Sequence, residues 1–339
     1  MVLTVDAPKA DNDVIATMQS ITHADYLEFA SQSREVEIES VKVALKGPYH
    51  THVNHPPNDY SPETETVWSF PDRGNWATHN GNYRGNWSPY IPRNVLARYT
   101  QPGDVVLDQM VGSGTTLIEC KLLGRTGIGV DVNRDAVMVA RDRLNFEYTR
   151  PLDWPPEGEV FTYVGDCRNL DKIEDDSVDL IATHPPYAGI IAYSGKRIAG
   201  DLSSLKLEDY LREMRAAAEE SLRVLKPGKH CAILIGDTRK RLHYVPISHR
   251  VMQVFLDVGF VLREDIIKLQ HKTKTTRERW RGREYPFYKI AHEHLFVFRK
   301  PGPDEKLSEV KNSLKWWPSQ LSFGLRLSDI RATYSTKES

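Results

Sequence analysis

The chain has 339 residues, of which 40% are hydrophobic and 27% are charged. These proportions are typical of a folded globular protein and exclude collagen-like, coiled-coil and wholly disordered chains. The 45 basic and 46 acidic residues give a net charge of −1, and no run of about 18 apolar residues offers a membrane span. The three cysteines, Cys120, Cys167 and Cys231, form no C-x-x-C pair, so we expect neither a metal site nor a disulfide framework, in a cytoplasmic protein.

The first part of the chain predicts an extension in front of a larger domain. Residues 1–20 are polar and without periodicity, which is typical of a loose terminus. Apolar residues recur at three- and four-residue spacings over residues 22–45, a pattern that predicts one or two helices. Residues 46–92 are rich in Pro, Gly, Asn, Trp and Tyr and predict an ordered loop. We therefore expect an N-terminal extension, residues 1–66, that is helical in part.

Beyond residue 103, short apolar runs alternate with amphipathic stretches. Strands and helices that alternate at this spacing predict a mainly parallel sheet covered on both faces. No helical pattern separates the last two strands, so these two should pair antiparallel. The predicted strands are 105–108, 126–131, 160–164, 178–183, 231–235, 260–267 and 294–299, and the predicted helices are 115–123, 134–144, 207–225 and 247–258.

A basic segment, residues 268–289, connects the last two predicted strands. It carries eight basic and two acidic residues, although the whole chain is almost neutral. Aromatic residues are interleaved with this charge, a composition suited to contacts with the phosphates and bases of a nucleic acid. A solvated charged hairpin would have the same composition. The candidate nucleic-acid contacts are Lys272, Lys274, Arg277, Arg279, Arg281 and Arg283.

The turn after the first predicted strand contains Gly112, Ser113 and Gly114. Ligands bind at the carboxyl ends of such strands, where glycines let the backbone come close. A dinucleotide fingerprint would need Gly where Leu117 stands, and a phosphate-binding P-loop would need a Lys after Gly114. Asp131 ends the second predicted strand, where a carboxylate can accept both hydroxyls of a ribose. We therefore expect a nucleoside cofactor without a pyrophosphate.

Residues 108–131 resemble the cofactor motif of the S-adenosylmethionine-dependent DNA amino-methyltransferases, which make N4-methylcytosine or N6-methyladenine. The usual form is D-P-F-x-G-S-G-T-T, from which Gln109 and Met110 depart. Residues 79–90 are similar to the family's segment over the methionine end of the cofactor, and residues 165–167 to the motif whose Asp meets the adenine amine. The resemblance implies a cofactor role for Asn86, Trp87, Ser88, Asp108, Gly112, Ser113, Gly114, Thr115, Thr116, Asp131, Asp166 and Cys167.

The resemblance extends over residues 67–300, which we take as the catalytic domain. It implies an α/β, Rossmann-like class I methyltransferase fold, with a mostly parallel, seven-stranded sheet whose last strand is antiparallel. The N-terminal helical extension, residues 1–66, would precede this domain. Residues 301–339 would follow it as a C-terminal tail.

The predicted strand 178–183 runs into His184-Pro185-Pro186-Tyr187, at the edge of the sheet where ligands bind. The prolines remove backbone donors and fix the turn. An exocyclic amine of a base is a poor nucleophile, and acceptors that take its hydrogens direct its lone pair toward the methyl group. We assign these acceptors to the Pro185 carbonyl and the His184 side chain. We assign Tyr187 as a face on which the extruded base stacks.

His184 stands where the resembled family has Asp, Asn or Ser. A neutral imidazole accepts one hydrogen bond and titrates near neutrality, so it could also take the proton released after transfer. It could equally be a spacer whose ring faces solvent. The preceding Thr183 is similar to the T-S-P-P-Y form common among cytosine enzymes, which favours N4-cytosine over N6-adenine.

The sequence therefore predicts an enzyme that methylates an exocyclic amine of a flipped base in double-stranded DNA, with S-adenosylmethionine as cofactor. The basic segment, residues 268–289, would contact the DNA. Two further functions stay open: an amino-methyltransferase for RNA or a protein glutamine, and a cofactor-binding DNA-recognition subunit without activity. We expect a monomer or a weak dimer, and a cognate restriction endonuclease would be a further partner.

Overall fold

The computed structural model describes residues 17–38, 41–48, 51–52, 60–83, 85–149, 152, 154–187, 198–271 and 287–315. Within these ranges, no helix is both long enough and apolar enough to cross a membrane. The helices are α1 (His23–Gln32), α2 (Tyr90–Tyr99), α3 (Thr115–Leu123), α4 (Arg134–Leu144), α5 (Leu207–Val224) and α6 (Ile247–Val258). The strands are β1 (Gln19–Ile21), β2 (Glu35–Ile38), β3 (Val41–Ala44), β4 (Thr51–His52), β5 (Val67–Ser69), β6 (Val105–Asp108), β7 (Thr126–Asp131), β8 (Phe146–Glu147), β9 (Val160–Val164), β10 (Val178–Thr183), β11 (Leu225–Ile235), β12 (Thr238–Lys240), β13 (His243–Val245), β14 (Val261–Leu269) and β15 (His292–Arg299).

Nine of these strands form one sheet in the order β1-β9-β7-β6-β10-β11-β15-β14-β5. The strands β9, β7, β6, β10 and β11 run parallel, and β15 enters antiparallel between β11 and β14. The structure confirms the predicted α/β fold and its antiparallel last strand. The prediction of seven strands is two short, because β1 and β5 extend the two edges. Each of these has only 3 residues, too few to display the alternation that marks a strand in sequence.

Several elements have the bounds predicted from the sequence, namely α3, α4, α6, β6, β7, β9 and β10. Glycines explain the sharp ends of α3, because Gly114 before it and Gly124 after it have φ of 83° and 73°. At the start of α4, the Asn133 side chain accepts the N–H of Asp135 at 3.0 Å. In contrast, β11 begins before the predicted residue 231, because a Pro-Gly pair interrupts its apolar pattern.

The described part of the N-terminal extension contains one of the one or two predicted helices. Among the described residues of the extension, α1 is helical, and Glu35–Ile38 and Val41–Ala44 form an antiparallel hairpin of β2 and β3. Val36, Ile38 and Val43 are buried while their neighbours are more exposed, which is the alternation of a strand. Of the two predicted alternatives the structure has the single helix, because these three residues are β-branched and fit a half-buried strand better than a second helix.

The described part of the extension is attached to the main domain. Strand β1 pairs with β9 at the edge of the sheet. The hydroxyl of Tyr26 on α1 donates to Asp142 on α4 at 2.6 Å. Residues 46–92, predicted as an ordered loop, also contain β5 and the start of α2. The extension and this loop therefore contribute strands to the same sheet as the predicted catalytic domain.

The sheet is covered on both faces, as predicted. On one face, Phe255 of α6 stacks on Phe298 of β15 with ring centroids 4.9 Å apart. On the other face, Ile91 and Leu96 of α2 form a buried cluster with Leu180 of β10. Dense packing on both faces fixes the strands, so the loops that leave their carboxyl ends have a rigid base.

Candidate active site

One cavity is lined by the loops that follow β6, β7 and β10 at the carboxyl ends of these strands. This is the edge at which open α/β sheets bind their ligands. The predicted cofactor turn and the predicted catalytic motif both contribute to it. The predicted site residues that line the cavity are Asn86, Trp87, Asp108, Gly112, Ser113, Thr115, Asp131, Cys167, His184, Pro185 and Pro186. The predicted site residues that do not line it are Ser88, Gly114, Thr116, Asp166 and Tyr187.

The turn after β6 is shaped by two glycines with different tasks. Gly112 and Gly114 have φ of 48° and 83°, in the left-handed region that favours glycine. A Cβ at Gly114 would lie 3.0 Å from the Cβ of Ala140, so this glycine lets α3 pack closely on α4. Gly112 lines the cavity, and its N–H donates to Asp131 at 2.9 Å. Gly112 therefore contributes to the cavity lining, and Gly114 allows close packing of α3 on α4.

Asp131 ends β7 and holds the turn after β6. Its Oδ2 accepts the N–H of Gly112 and its Oδ1 accepts the N–H of Asn133, both at 2.9 Å. Each carboxylate oxygen has two lone pairs, so both can still accept a ribose hydroxyl. Burial raises the pKa of Asp131 to about 6, and the charge of Asp201 acts in the same direction. The ribose contact fits this geometry and stays a prediction.

Asp108 ends β6 and is buried, with 2% of its surface exposed. Its carboxylate accepts the hydroxyl of Thr116 on α3 at 2.5 Å and that of Thr183 on β10 at 2.9 Å. Burial raises the pKa of Asp108 to about 6, although these hydrogen bonds oppose the shift. Asp108 therefore joins the cofactor turn to the strand that carries the catalytic motif. The hydroxyl of Thr183 thus has a structural contact.

The segment before α2 is tied to the cofactor turn. The hydroxyl of Thr115 donates to the side chain of Asn86. The guanidinium of Arg73 donates to the carbonyls of Asn86 and Trp87, at 2.8 and 2.5 Å. The hydroxyl of Ser88 donates to the carbonyl of Arg73 at 2.8 Å, which explains why Ser88 points away from the cavity lining. Asn86 and Trp87 thus reach the cavity, and Ser88 stabilises the segment that carries them.

Asp166 is engaged by a neighbouring arginine instead of facing the cavity. The Arg168 guanidinium donates to both carboxylate oxygens of Asp166, at 2.9 and 2.6 Å, and also contacts Glu213 at 2.5 Å. The next residue, Cys167, lines the cavity and is buried. The backbone N–H of Arg168 also donates to Asp166, at 2.9 Å, so three of the four lone-pair sites of this carboxylate are used. The predicted contact between Asp166 and the adenine amine stays a prediction.

Three buried polar atoms in the cavity lining have no hydrogen-bond partner among the described residues. They are Nε2 of Gln109, Oγ of Ser113 and Nδ1 of His184. Buried polar groups in native proteins almost always have a partner, so three such atoms around one cavity indicate a polar ligand. A nucleoside cofactor carries both the donors and the acceptors that these atoms require. The residues present therefore fit the expected cofactor, and Gln109, a departure from the usual motif, joins the candidate contacts.

His184 is partly buried and lies between two aromatic neighbours. Its ring stacks on Trp87, with centroids 5.8 Å apart and an interplanar angle of 22°. Its Nε2 lies 2.8 Å from the hydroxyl of Tyr187. Burial lowers the pKa of His184 to about 4, and the charge of Glu293 offsets this shift only in part. The imidazole is therefore neutral at neutral pH, as the predicted acceptor role requires.

The hydroxyl of Tyr187 continues the contacts of His184 toward two distant strands. It donates to Oε1 of Glu293 at 2.8 Å, and Nζ of Lys268 donates to Oε2 of Glu293 at 2.9 Å. Lys268 and Glu293 are cross-strand partners on β14 and β15. Sequence reasoning missed Glu293, for which the signal is the single carboxylate of β15, between two histidines and ahead of an apolar run.

The ring of Tyr187 occupies space that Gly236 leaves open after β11. A Cβ at Gly236 would lie 2.7 Å from Cε2 of Tyr187. The ring packs against the buried cluster under α5 and α6 and does not line the cavity. Its assignment as a stacking face for a base stays a prediction. Gly236 is a second residue that the motif search did not assign to the site.

A separate polar cluster lies at the start of α6. Asp237, His249 and His294 offer atoms within 4.8 Å of one another that could hold a metal ion. However, Asp237 accepts the N–H and the hydroxyl of Ser248, both at 2.7 Å, and so caps α6. His294 pairs with Asp265 at 2.9 Å. Helix capping therefore accounts for Asp237, and the hydrogen bond with Asp265 accounts for His294.

The basic segment is described only at its two ends. Lys268 pairs with Glu293 and keeps 16% of its side chain exposed, so it is not a surface charge. At the other end, the guanidinium of Arg239 lies over the ring of Phe287 at 4.6 Å. The predicted nucleic-acid contacts Lys272, Lys274, Arg277, Arg279, Arg281 and Arg283 lie outside the described residues.

Comparison with known families gives two matches. A family model described as DNA methylase matches residues 18–142 and 178–335 of the chain. A model described as an RMKL-like methyltransferase domain matches residues 95–218. The chain is also similar to a solved structure of a putative DNA modification methylase of Thermus thermophilus in complex with S-adenosyl-L-methionine. The two chains are 26% identical and align with a TM-score of 0.31, over 42% of this chain and 56% of that chain.

Three curated relatives illustrate the range of similar proteins. The Type II methyltransferase M.HpaI of Haemophilus parainfluenzae is 30% identical over 37% of this chain and 39% of that protein. The Type II methyltransferase M.MthZI of Methanothermobacter thermautotrophicus is 28% identical over 45% of this chain and 48% of that protein. A tRNA (guanine(10)-N2)-dimethyltransferase of the same species is 31% identical over 41% of this chain and 36% of that protein. The chain therefore spans less than half the length of each of these relatives.

Proposed function

Because the chain belongs to the DNA methylase family of S-adenosylmethionine-dependent amino-methyltransferases, we propose that it methylates an exocyclic amine of a base in double-stranded DNA. The observation that carries this proposal is the shared cavity. The cofactor turn at Gly112 and the motif at His184 and Pro185 line the same space, so a cofactor and a target amine could meet there. Asp131 would hold the ribose of the cofactor, and Gln109 and Ser113 would offer it further polar contacts.

S-adenosylmethionine, when bound, supplies an electrophilic methyl group, and the protein has to present the amine to it. The carbonyl of Pro185 and Nδ1 of His184 would each accept one hydrogen of the amine. These two acceptors pull the amine nitrogen out of conjugation with the ring, so that its lone pair becomes available. The neutral state of His184 supports this role, because an imidazolium has no lone pair to offer.

The target base would leave the duplex before it reacts. An exocyclic amine lies within the paired stack, and His184 lies in a cavity lined by protein loops, so a base would have to leave the stack to reach it. We further propose cytosine N4 as the target atom, a choice that rests on the sequence around Thr183. The basic segment, residues 268–289, would bind the DNA. We propose a cytoplasmic protein, with a cognate restriction endonuclease as its partner.

A second candidate function is methylation of an amine in structured RNA. The similarity to a tRNA dimethyltransferase, 31% identical over 41% of this chain, favours RNA over a protein glutamine as the second candidate substrate. The chemistry at His184 and Pro185 would be the same, because the base amines of RNA are equally conjugated. The substrate, and not the site, would distinguish the two functions.

The test is incorporation of labelled methyl groups into double-stranded DNA, single-stranded DNA and tRNA in parallel reactions. The methylated product is digested to nucleosides, which are identified by mass. We expect N4-methyldeoxycytidine from double-stranded DNA, formed at a rate lower by about 100-fold or more with the variant His184→Ala. The exposed histidine His243 gives the matched control His243→Ala, which should keep full incorporation. Label in tRNA alone would replace DNA by RNA as the substrate, and N6-methyldeoxyadenosine would refute the cytosine assignment.

A further inference from the structure

We propose that Tyr187 and Glu293 form a proton relay behind His184, which carries away the proton that the target amine loses on methylation. This inference rests on the proposed function and adds two residues to it. Three hydrogen bonds connect the groups in series: His184 Nε2 to Tyr187 at 2.8 Å, Tyr187 to Glu293 at 2.8 Å, and Lys268 to Glu293 at 2.9 Å. The series begins at the cavity lining and ends at two strands outside the motif.

The direction of these hydrogen bonds follows from the number of hydrogens available. An ionised carboxylate only accepts, so the single hydroxyl hydrogen of Tyr187 goes to Glu293. The contact between Tyr187 and His184 therefore needs a hydrogen on Nε2 of His184. A neutral imidazole carries one N–H, so Nδ1 keeps its lone pair. Nδ1 is buried and makes no hydrogen bond of good geometry among the described residues, although the backbone of Gly85 lies near the ring, so Nδ1 is the ring nitrogen left for the target amine.

Glu293 is ionised in this arrangement because of Lys268. Burial acts to raise the pKa of Glu293, but the charge of Lys268 and the neighbouring hydrogen bonds outweigh it and hold the pKa below its usual range. Around His184, burial favours the neutral ring, and the charges of Lys268 and Arg73 act in the same direction. Glu293 and the backbone of Gly85 favour the charged ring and are outweighed. The series therefore rests with a neutral base at the cavity and a carboxylate at its far end.

The proton step balances along this series. When the amine nitrogen bonds to the methyl carbon and the carbon–sulfur bond breaks, the nitrogen carries the positive charge and must lose one proton. That proton bonds to Nδ1 of His184, the proton on Nε2 passes to the Tyr187 oxygen, and the hydroxyl proton passes to Glu293. The carboxylate becomes a neutral acid beside Lys268, whose charge favours loss of this proton to water afterwards.

Two conservative variants test the relay with little change in shape. Glu293→Gln keeps an acceptor for Tyr187 but cannot hold a proton, and Tyr187→Phe removes the hydroxyl in the middle. Each should slow single-turnover methylation by about 10- to 100-fold, the scale of a weakened general base, with cofactor affinity unchanged within about twofold. Tyr99→Phe is the matched control, because Tyr99 also contacts a histidine, His230, with ring centroids 4.5 Å apart. Neither of these two residues lines the cavity.

The tautomer of His184 gives a readout that does not depend on activity. Nitrogen-15 spectra of histidine-labelled protein, assigned with His184→Ala, should show the Nε2–H form in the wild type and loss of that preference in Tyr187→Phe. An Nδ1–H form in the wild type overturns the relay, and so do variants as fast as the wild type. A wild type with no methylation of DNA or RNA refutes the proposed function instead, and the spectra then decide the hydrogen-bond series alone.

Discussion

The cavity has two halves that are built in different ways. In the cofactor half, backbone and side chains close to each other in sequence make the contacts: Asp131 accepts the Gly112 N–H 19 positions away, and Asp108 accepts the Thr116 hydroxyl 8 positions away. In the catalytic half, Tyr187 reaches Glu293 across 106 positions. The cofactor half is thus fixed by local loops, and the catalytic half depends on the order of strands in the sheet.

The same physical cause also acts in opposite directions in the two halves. Burial raises the pKa of Asp108 and of Asp131 to about 6, and it lowers the pKa of His184 to about 4. In each case burial disfavours the charged form, which is the anion for a carboxyl and the cation for an imidazole. The two halves should therefore respond to acid at different pH values.

The largest expected effect lies in the catalytic half. His184→Ala should lower the single-turnover rate by about 100-fold or more, as the loss of one oriented hydrogen bond to a transition state does elsewhere. Cofactor binding should persist, because the backbone contacts of the cofactor half remain. DNA binding should also persist, because it is assigned to the basic segment. His184→Asn should keep more activity than His184→Ala, since its amide oxygen restores an acceptor. An alanine variant as fast as the wild type would show that His184 takes no part in the chemistry.

The next effect lies in the cofactor half. Asp131→Ala should weaken S-adenosylmethionine binding by about 1.5–3 kcal/mol, the size of hydrogen bonds that involve a charged group. Asp166→Asn is the informative comparison, because Asp166 is held by Arg168 and does not line the cavity. Calorimetry should find a smaller loss for Asp166→Asn. Equal affinities for Asp131→Ala and the wild type, with the fold intact, would remove Asp131 from the cofactor site.

DNA affinity should depend on neither half. Charge reversal at Arg279, Arg281 and Arg283 should weaken DNA binding. The slope of the logarithm of the binding constant against the logarithm of the salt concentration should become less steep by about 0.9 for each phosphate that is no longer neutralised. Cofactor affinity, measured in the same preparations, should stay at the wild-type value. DNA binding with an unchanged salt slope would locate recognition elsewhere, for which residues 22–66 are the next candidate.

A smaller effect tests how strand packing supports the catalytic half. In Gly236→Ala the new Cβ would lie 2.7 Å from the Tyr187 ring, so the ring must shift and its hydrogen bonds must weaken. We expect a rate about tenfold lower, because the relay is displaced but not removed. Gly302→Ala is the control, since its Cβ would have 4.0 Å to its nearest neighbour. Similar rates for the two variants would argue against a proton relay through Tyr187.

The same contrast explains what could be predicted from the sequence. Helix α3 was predictable to the residue because its start and end are marked by Gly114 and Gly124. The cofactor turn was predictable because Gly112 and Asp131 follow adjacent strands in chain order. The family match confirms the resemblance on which the remaining cofactor residues were assigned.

Other parts could not be predicted because they depend on partners distant in sequence. Nothing local marks Glu293 as a neighbour of Tyr187, since their contact arises from the placement of β15 beside β11. The hairpin of β2 and β3 carries its apolar residues at mixed spacings, which predict a helix as readily as a strand. Asp166 follows the family motif in sequence, but the guanidinium of Arg168, two positions away, engages its carboxylate.

The most direct test of the two-part cavity is to measure cofactor affinity and the single-turnover rate over the same pH range. Asp131 loses its charge as pH falls through about 6, so cofactor affinity should decline there. His184 stays neutral until about pH 4, so the rate at saturating cofactor should hold between about pH 8 and about pH 5. A rate that falls through about pH 6.5, the value of an unperturbed histidine, would contradict the account of His184 as an enclosed, neutral acceptor.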